Sequence, residues 1–204
     1  LKEFSGIMLK QHEKLILASA SPRRKELLQS MGIKFVVQPS DIAEVGYGGA
    51  PEKVPSRIVT QKMKATKVQM GLHLEGYVLA ADTIVALGKE IYGKPENMEH
   101  ARSMLRQLSG KIHQVYTCFR VEGWNGEFIE KTTRTDVKMR KLSDQMLQWY
   151  LNTNEPFDKA GGYAIQGFGS VLVESIQGSY TNVVGLPMAE VMDALVELKV
   201  ISFS

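Results

Sequence analysis

The stretch LASASPRRKELL places Ser19, Ser21, Arg23 and Arg24 where an apolar, strand-like run gives way to a helix. Arginine in the first turn of a helix is opposed by the positive end of the helix dipole, by a few tenths to about 1 kcal/mol, so a compensating partner is expected. A bound anion would supply one. Phosphate oxygens suit the guanidinium fork, the hydroxyls and the unpaired N–H groups of a helix start at the same time. The alternative is a capping serine beside two solvated arginines.

Residues 77–81 form an apolar run that stops at Asp82. A carboxylate at such a strand end holds a hard cation or orients a water, unless it caps the following turn. Glu44 is either a second carboxylate for that cation or a solvated side chain. Lys64 and Lys94 could neutralise a triphosphate. For Lys64, a solvated helix surface is the competing reading, whereas Lys94 stands between Gly93 and Pro95, which restrict its backbone. The non-periodic stretch EPFDKAGGYAIQGFG reads as a functional loop in which the Gln166 amide, both donor and acceptor, could address a nucleobase edge. A turn built for structural reasons is the other possibility. His12, His73, His100 and His113 show no metal-ligand spacing, and Cys118 lies in a strand-like run with no catalytic signature around it.

The elements that must position these groups alternate between strand and helix. Strands are predicted at residues 15–18, 35–37 and 77–81, with a hairpin of 83–87 and 90–92 around Gly88. Helices are predicted from Pro22 to Gly32, with Leu27, Leu28 and Met31 as its stripe, and over residues 57–70, with Val59, Met63 and Met70 inward and Lys62, Lys64 and Lys67 elsewhere around it. Ala101, Met104, Leu105 and Leu108 repeat at i, i+3, i+4 and i+7, giving the clearest amphipathic helix, ended by Gly110. Residues 114–121 and 132–140 read as paired strands, Ser143 caps a helix ending near Asn152, residues 171–176 form a strand, and Pro187 opens a last helix with Val191, Met192, Leu195 and Leu198 inward. The order indicates an α/β fold with a mixed central sheet flanked by helices.

Composition narrows the function classes. With 204 residues, 44% hydrophobic and 23% charged, the chain suits one compact domain, read as residues 14–204 behind an N-terminal extension of residues 1–13. A net charge of +3, without a basic aromatic stripe, does not point to nucleic acid and fits a small polyanion. A single cysteine excludes an intrachain disulfide and suggests a reducing compartment. No run approaches the roughly 18 apolar residues of a membrane span, and no signal-peptide pattern stands at the start, so a cytoplasmic location is expected.

LILASASPRRKELL, AADTIV, GKP, ARSMLRQLSGKIHQVYT, EPFDKAGGYAIQGFG and YTNVVGLP together resemble the Maf family of nucleotide pyrophosphatases, over roughly residues 14 to 200. The resemblance implies two lobes around a central cleft, a possible homodimer, and hydrolysis of nucleoside triphosphates to monophosphate and pyrophosphate with Mg²⁺ or Mn²⁺. It makes Asp82 the catalytic acid that activates water and Glu44 a metal-linked carboxylate, although Ala43 replaces an acid common before that position. It assigns Arg23, Arg24, Lys64 and Lys94, with Ser19 and Ser21 beside them, to the phosphates. Arg23, Thr83 and Gln166 together look like the branch acting on dTTP and UTP, including modified pyrimidine forms, rather than on 7-methyl-GTP. On this reading water attacks the α-phosphorus in line, with the metal on Asp82 and Glu44 and the triphosphate charge spread over Arg24, Lys64 and Lys94. The rival is a non-catalytic nucleotide-binding regulator linked to cell division. Two carboxylates in the site argue against it, because a pure triphosphate binder gains little from added negative charge.

Overall fold

The computed structural model describes residues 9–40, 42, 48–71 and 75–204. In chain order the elements are β1 (Leu9–Gln11), β2 (Leu15–Leu17), α1 (Pro22–Ser30), β3 (Val36–Val37), α2 (Val54–Met70), β4 (Tyr77–Leu87), β5 (Glu90–Tyr92) and α3 (Met98–Leu108). There follow β6 (Ile112–Gly123), β7 (Phe128–Met139), α4 (Asp144–Leu151), β8 (Val173–Gln177), α5 (Tyr180–Val184), α6 (Met188–Glu197) and β9 (Ile201–Phe203). Short 3-10 turns occupy Pro51–Lys53, Glu155–Asp158, Ala160–Gly162 and Gly167–Leu172.

The main sheet runs β3-β2-β4-β6-β7-β8, with β5 also paired to β4. The β3, β2 and β4 neighbours are parallel and the rest antiparallel, so the sheet is mixed as expected. A separate pair joins β1 to β9, with Leu9 opposite Phe203.

One irregularity creates the site. On one edge β4 pairs with β2 only over Tyr77 to Leu79 and with β5 only from Val85 onward. Between them, residues 80–84 have no strand neighbour on that edge among the described residues, while β6 backs them without interruption on the other. Asp82 therefore lies in the middle of a continuous strand. This corrects the expectation of a strand ending there. The apolar run stops because the sheet opens at that point, not because the strand does.

Strand alternation sends Val78, Ala80, Asp82 and Ile84 to one face and Leu79, Ala81, Thr83 and Val85 to the other. α2 covers the first face, with Val59 and Met63 packed against Val78 and Ala80, and Val54 and Ile58 against Ile84. The second face carries two separate apolar clusters. α6 and Leu28 of α1 cover Leu17, Leu79, Ala81 and Phe119 at one end, while α3 and α4 cover Val85, Val115, Val137 and Met139 at the other. These are the two lobes.

A chain of buried polar groups fills the seam between the clusters. The Thr83 and Thr117 hydroxyls are 2.9 Å apart, Thr117 donates to the carbonyl of Asn182 at 3.0 Å, and Asn182 Nδ2 donates to Val115 O at 3.1 Å and Thr135 Oγ1 at 2.9 Å. Thr117, Thr135 and Asn182 are fully buried, so each bond replaces one that water can no longer provide.

Two helices differ from expectation. α2 starts at Val54, ahead of the predicted start at Arg57. In α1 the buried residues are Arg24 and Leu28, an i, i+4 pair, and Met31 is exposed. A charged residue on the buried face is what an apolar-stripe reading cannot anticipate.

Candidate active site

The break in the sheet opens into a cleft of about 380 Å³, lined by Ser19, Ser21, Arg23, Arg24, Lys62, Asp82, Thr83, Lys94, Asp158, Lys159, Tyr163 and Gln166, among others. The described lining holds five cationic side chains against two carboxylates, an excess that suits an anionic ligand.

Arg24 organises the floor. Its Nε donates to Gly185 O at 2.8 Å, Nη1 to Ala81 O at 2.8 Å and Ser19 Oγ at 3.1 Å, and Nη2 to Thr83 Oγ1 at 3.0 Å. The Ala81 carbonyl sits in the stretch of β4 that lacks a strand partner, so the guanidinium fork replaces a missing ladder bond. Protein carbonyls and hydroxyls thus supply the compensation that an arginine in a first helical turn requires. Ser21 is the helix N-cap by position, yet its side chain makes no capping bond. The capping alternative is not realised.

Asp82 is buried, and Lys62 Nζ donates to its Oδ1 at 2.6 Å. Lys62 is itself buried on the face of α2 that carries Ile58, Val59, Met63 and Thr66. Lys64 is exposed and does not line the cleft. Two residues along a helix turn the side chain by about 200°, so Lys62 and Lys64 cannot share a face. The lysine that α2 brings to the site is Lys62, a correction to the Lys64 assignment. The signal was in the sequence: Lys62 lies at i+4 from Ile58 and i+3 from Val59, on the inward stripe.

The rim joins the two lobes. Arg23 Nη1 reaches Asp158 Oδ2 at 3.2 Å, and Lys159 also pairs with Asp158. Burial acts to raise the Asp158 carboxyl, but Lys159 and Arg23 outweigh it and hold the group below the usual carboxylate range. Lys94 is exposed at the cleft edge, its loop tied down by the bond from Gly161 N to Gly93 O at 3.0 Å. Gln166 is half-buried and also lines the cleft. Asp158 and Lys159 were not singled out from the sequence, because nothing in an irregular segment says which way its side chains point.

Tyr163 lines the cleft from beneath and is held by His113, whose Nε2 lies 2.6 Å from its hydroxyl. Burial lowers His113 to about 4 against an opposing pull from Asp136, so the imidazole is neutral at physiological pH. That agrees with a structural role for this histidine. Glu44 lies outside the described residues. Among the described residues, no helix is long and apolar enough to cross a membrane, and no group of three or more His, Cys, Asp or Glu is placed to hold a metal ion.

A mixed α/β sheet opened at mid-strand, with a buried carboxylate on a lysine and cations around the mouth, defines a cleft suited to a phosphorylated ligand and to proton transfer beside it. The chain belongs to the family described as Maf-like protein, whose pattern matches residues 14–198. It is 48% identical over 182 residues to the dTTP/UTP pyrophosphatase of Thermosipho africanus (strain TCF52B), covering 89% of this chain and 92% of that protein. It is 42% identical over 195 residues to the dTTP/UTP pyrophosphatase of Syntrophus aciditrophicus (strain SB), covering 94% and 93%. A solved HAM1 protein from Coxiella burnetii aligns with 93% of this chain and 97% of its own at 16% identity and a TM-score of 0.49.

Proposed function

We propose that this protein hydrolyses nucleoside triphosphates, dTTP and UTP foremost, to the monophosphate and pyrophosphate with the help of Mg²⁺ or Mn²⁺. The buried Lys62–Asp82 pair on the floor of a cation-rimmed cleft carries the reading. The names of the curated relatives support the choice of nucleotide. A cytoplasmic location, a homodimer, and the absence of nucleic-acid and membrane partners belong to the same reading.

Asp82 offers hard oxygen, and a single carboxylate together with substrate phosphate oxygens is a donor set that Mg²⁺ accepts, so the residues fit such a cation. Asp82 would hold it, with Glu44 as a second oxygen donor. When bound, the metal neutralises charge on the polyphosphate and makes its phosphorus easier to attack. The residues of the chain do the rest. Lys62 fixes the Asp82 carboxylate, which takes the proton of the attacking water. The water oxygen bonds to the α-phosphorus as the bond to the pyrophosphate oxygen breaks, in line with it. Arg23, Lys94 and Lys159 receive the negative charge of the departing pyrophosphate. Arg24 acts from below by holding Ala81 O, beside Asp82 on β4, and Thr83. The Gln166 amide reads the base edge.

Incubation with Mg²⁺ or Mn²⁺ and a panel of dTTP, UTP, CTP and 7-methyl-GTP, following pyrophosphate and monophosphate, tests this directly. Selective cleavage of dTTP and UTP is expected. Binding without hydrolysis of any triphosphate would refute it in favour of a nucleotide sensor.

A further inference from the structure

We infer that Glu155 is a positioning residue for base selection: its carboxylate fixes the backbone that presents Gln166 to the substrate. This rests on the reading of Gln166 as the group that meets the base. Glu155 does not line the cleft, so any effect it has on the reaction passes through its neighbours.

Residues 155–169 contain three short 3-10 turns and no strand, so they have no ladder to hold them. Glu155, in the first turn, reaches across to the third. Its Oε2 accepts from Phe168 N at 2.9 Å, and its Oε1 accepts from Gly169 N at 3.0 Å and from the Tyr150 hydroxyl at 3.3 Å. The two oxygens of this carboxylate thus accept three hydrogen bonds, two from backbone N–H groups and one from a phenol. Tyr150 is fully buried, and burial followed by the negative charge of Glu155 pushes its phenol upward, which keeps it a donor. The Glu155 carbonyl meanwhile accepts from Lys159 Nζ at 2.8 Å. One residue therefore pins both a cation of the rim and the wall that carries Gln166.

The segment is wound tightly around this carboxylate. Gly167, directly after Gln166, has φ +61°, and a Cβ there would stand 2.8 Å from Glu155 Oε2. A Cβ on Gly169 would meet Ala164 O at 2.4 Å. The chain can make this approach only with glycine at both positions.

Placement matters because of what an amide can do. A uracil or thymine edge offers O4 as acceptor and N3–H as donor, whereas cytosine offers N4–H₂ as donor and N3 as acceptor. A glutamine amide free to turn over satisfies either edge, so residue type alone gives no discrimination. Selection requires the amide to be kept from turning over as well as held at a fixed reach and angle, and Glu155 fixes the backbone from which the amide is held.

The test compares the ratio of kcat/KM for UTP to that for CTP in the metal-supplied wild type, Gln166→Ala, Glu155→Gln, Gly167→Ala and the Glu155→Gln/Gln166→Ala double variant. In Glu155→Gln an amide N–H₂ replaces one of the acceptor oxygens and faces a backbone or phenol donor, so the loop must shift. The ratio should fall roughly tenfold, as expected for loss of one well-placed hydrogen bond to the reacting complex, with thermal unfolding confirming a folded protein. Gly167→Ala leaves the carboxylate in place but obstructs it, and should lower the ratio likewise; it carries the test if Glu155→Gln does not fold. The double variant should match Gln166→Ala, because Glu155 acts through that residue. An unchanged ratio in Glu155→Gln and Gly167→Ala, or losses that add in the double variant, would overturn the inference. A wild type that does not distinguish UTP from CTP, or a Gln166→Ala that still does, would instead remove the reading of Gln166, and this inference with it.

Discussion

Replacing Lys62 by methionine isolates the ion pair on which the proposed mechanism depends. Lys62 and Asp82 side chains retain only 10% and 7% of their accessible surface, at an N···O separation of 2.6 Å. Methionine keeps most of the volume of the lysine stem and removes the charge, leaving the Asp82 carboxylate buried without its ammonium partner. Breaking a buried pair from one side costs about 3–5 kcal/mol, and we take about 3 because the pair borders an open cleft. For a chain of this size each kcal/mol moves Tm by about 2–4 °C, so a fall of roughly 6–12 °C is expected in thermal unfolding at pH 7. Lys64→Met, two residues away on an exposed face, should stay within about 0.5 kcal/mol of wild type. The double variant Lys62→Met/Asp82→Asn should recover most of the loss, since no carboxylate then stays buried away from the Lys62 ammonium. Pyrophosphate release should be abolished in both Lys62→Met and the double variant. Equal stability of Lys62→Met and Lys64→Met, or a double variant no more stable than Lys62→Met, would refute the assigned pair.

Arg24→Lys should lower turnover by at least about a hundredfold, because a single ammonium cannot span Gly185 O, Ala81 O, Ser19 and Thr83 as the guanidinium fork does; steady-state pyrophosphate release measures this. Asn182→Ala removes the donors to Val115 O and Thr135 Oγ1 at a fully buried position and should cost about 2–4 kcal/mol, read as a lower urea midpoint at unchanged m-value. His113 falls from 6.5 to about 4 through burial, so the unfolded chain binds its proton first and stability rises with pH between those values. His113 should therefore contribute about 3 kcal/mol that is present above pH 6.5 and lost as pH falls towards 4. His113→Gln should flatten that part of the stability profile in urea titrations from pH 4 to 7.

Much of this protein was legible in the chain itself. The i, i+3, i+4, i+7 repeat of Ala101, Met104, Leu105 and Leu108 fixes α3, and the Ser143 cap is found bonding Met146 N, because period and capping depend on neighbours in sequence. Ser19, Ser21, Arg23, Arg24, Asp82, Lys94 and Gln166 were each recognisable by type and surroundings and Thr83 only through the family resemblance, and the fold brings all eight to one cleft. Their division of labour was not legible. Arg23 and Arg24 are adjacent, yet one turns to the rim and Asp158 while the other turns inward to carbonyls from β4 and the segment after α5, distant in the chain. The choice of Lys62 over Lys64 follows from the apolar stripe of α2 and was open to the sequence, whereas the position of Asp82 depends on two short strands, β2 and β5, leaving the middle of β4 uncovered. Sequence determines which groups are available and the local period that carries them. Only the packing of helix on sheet, where burial makes every unpaired polar group costly, decides which groups meet.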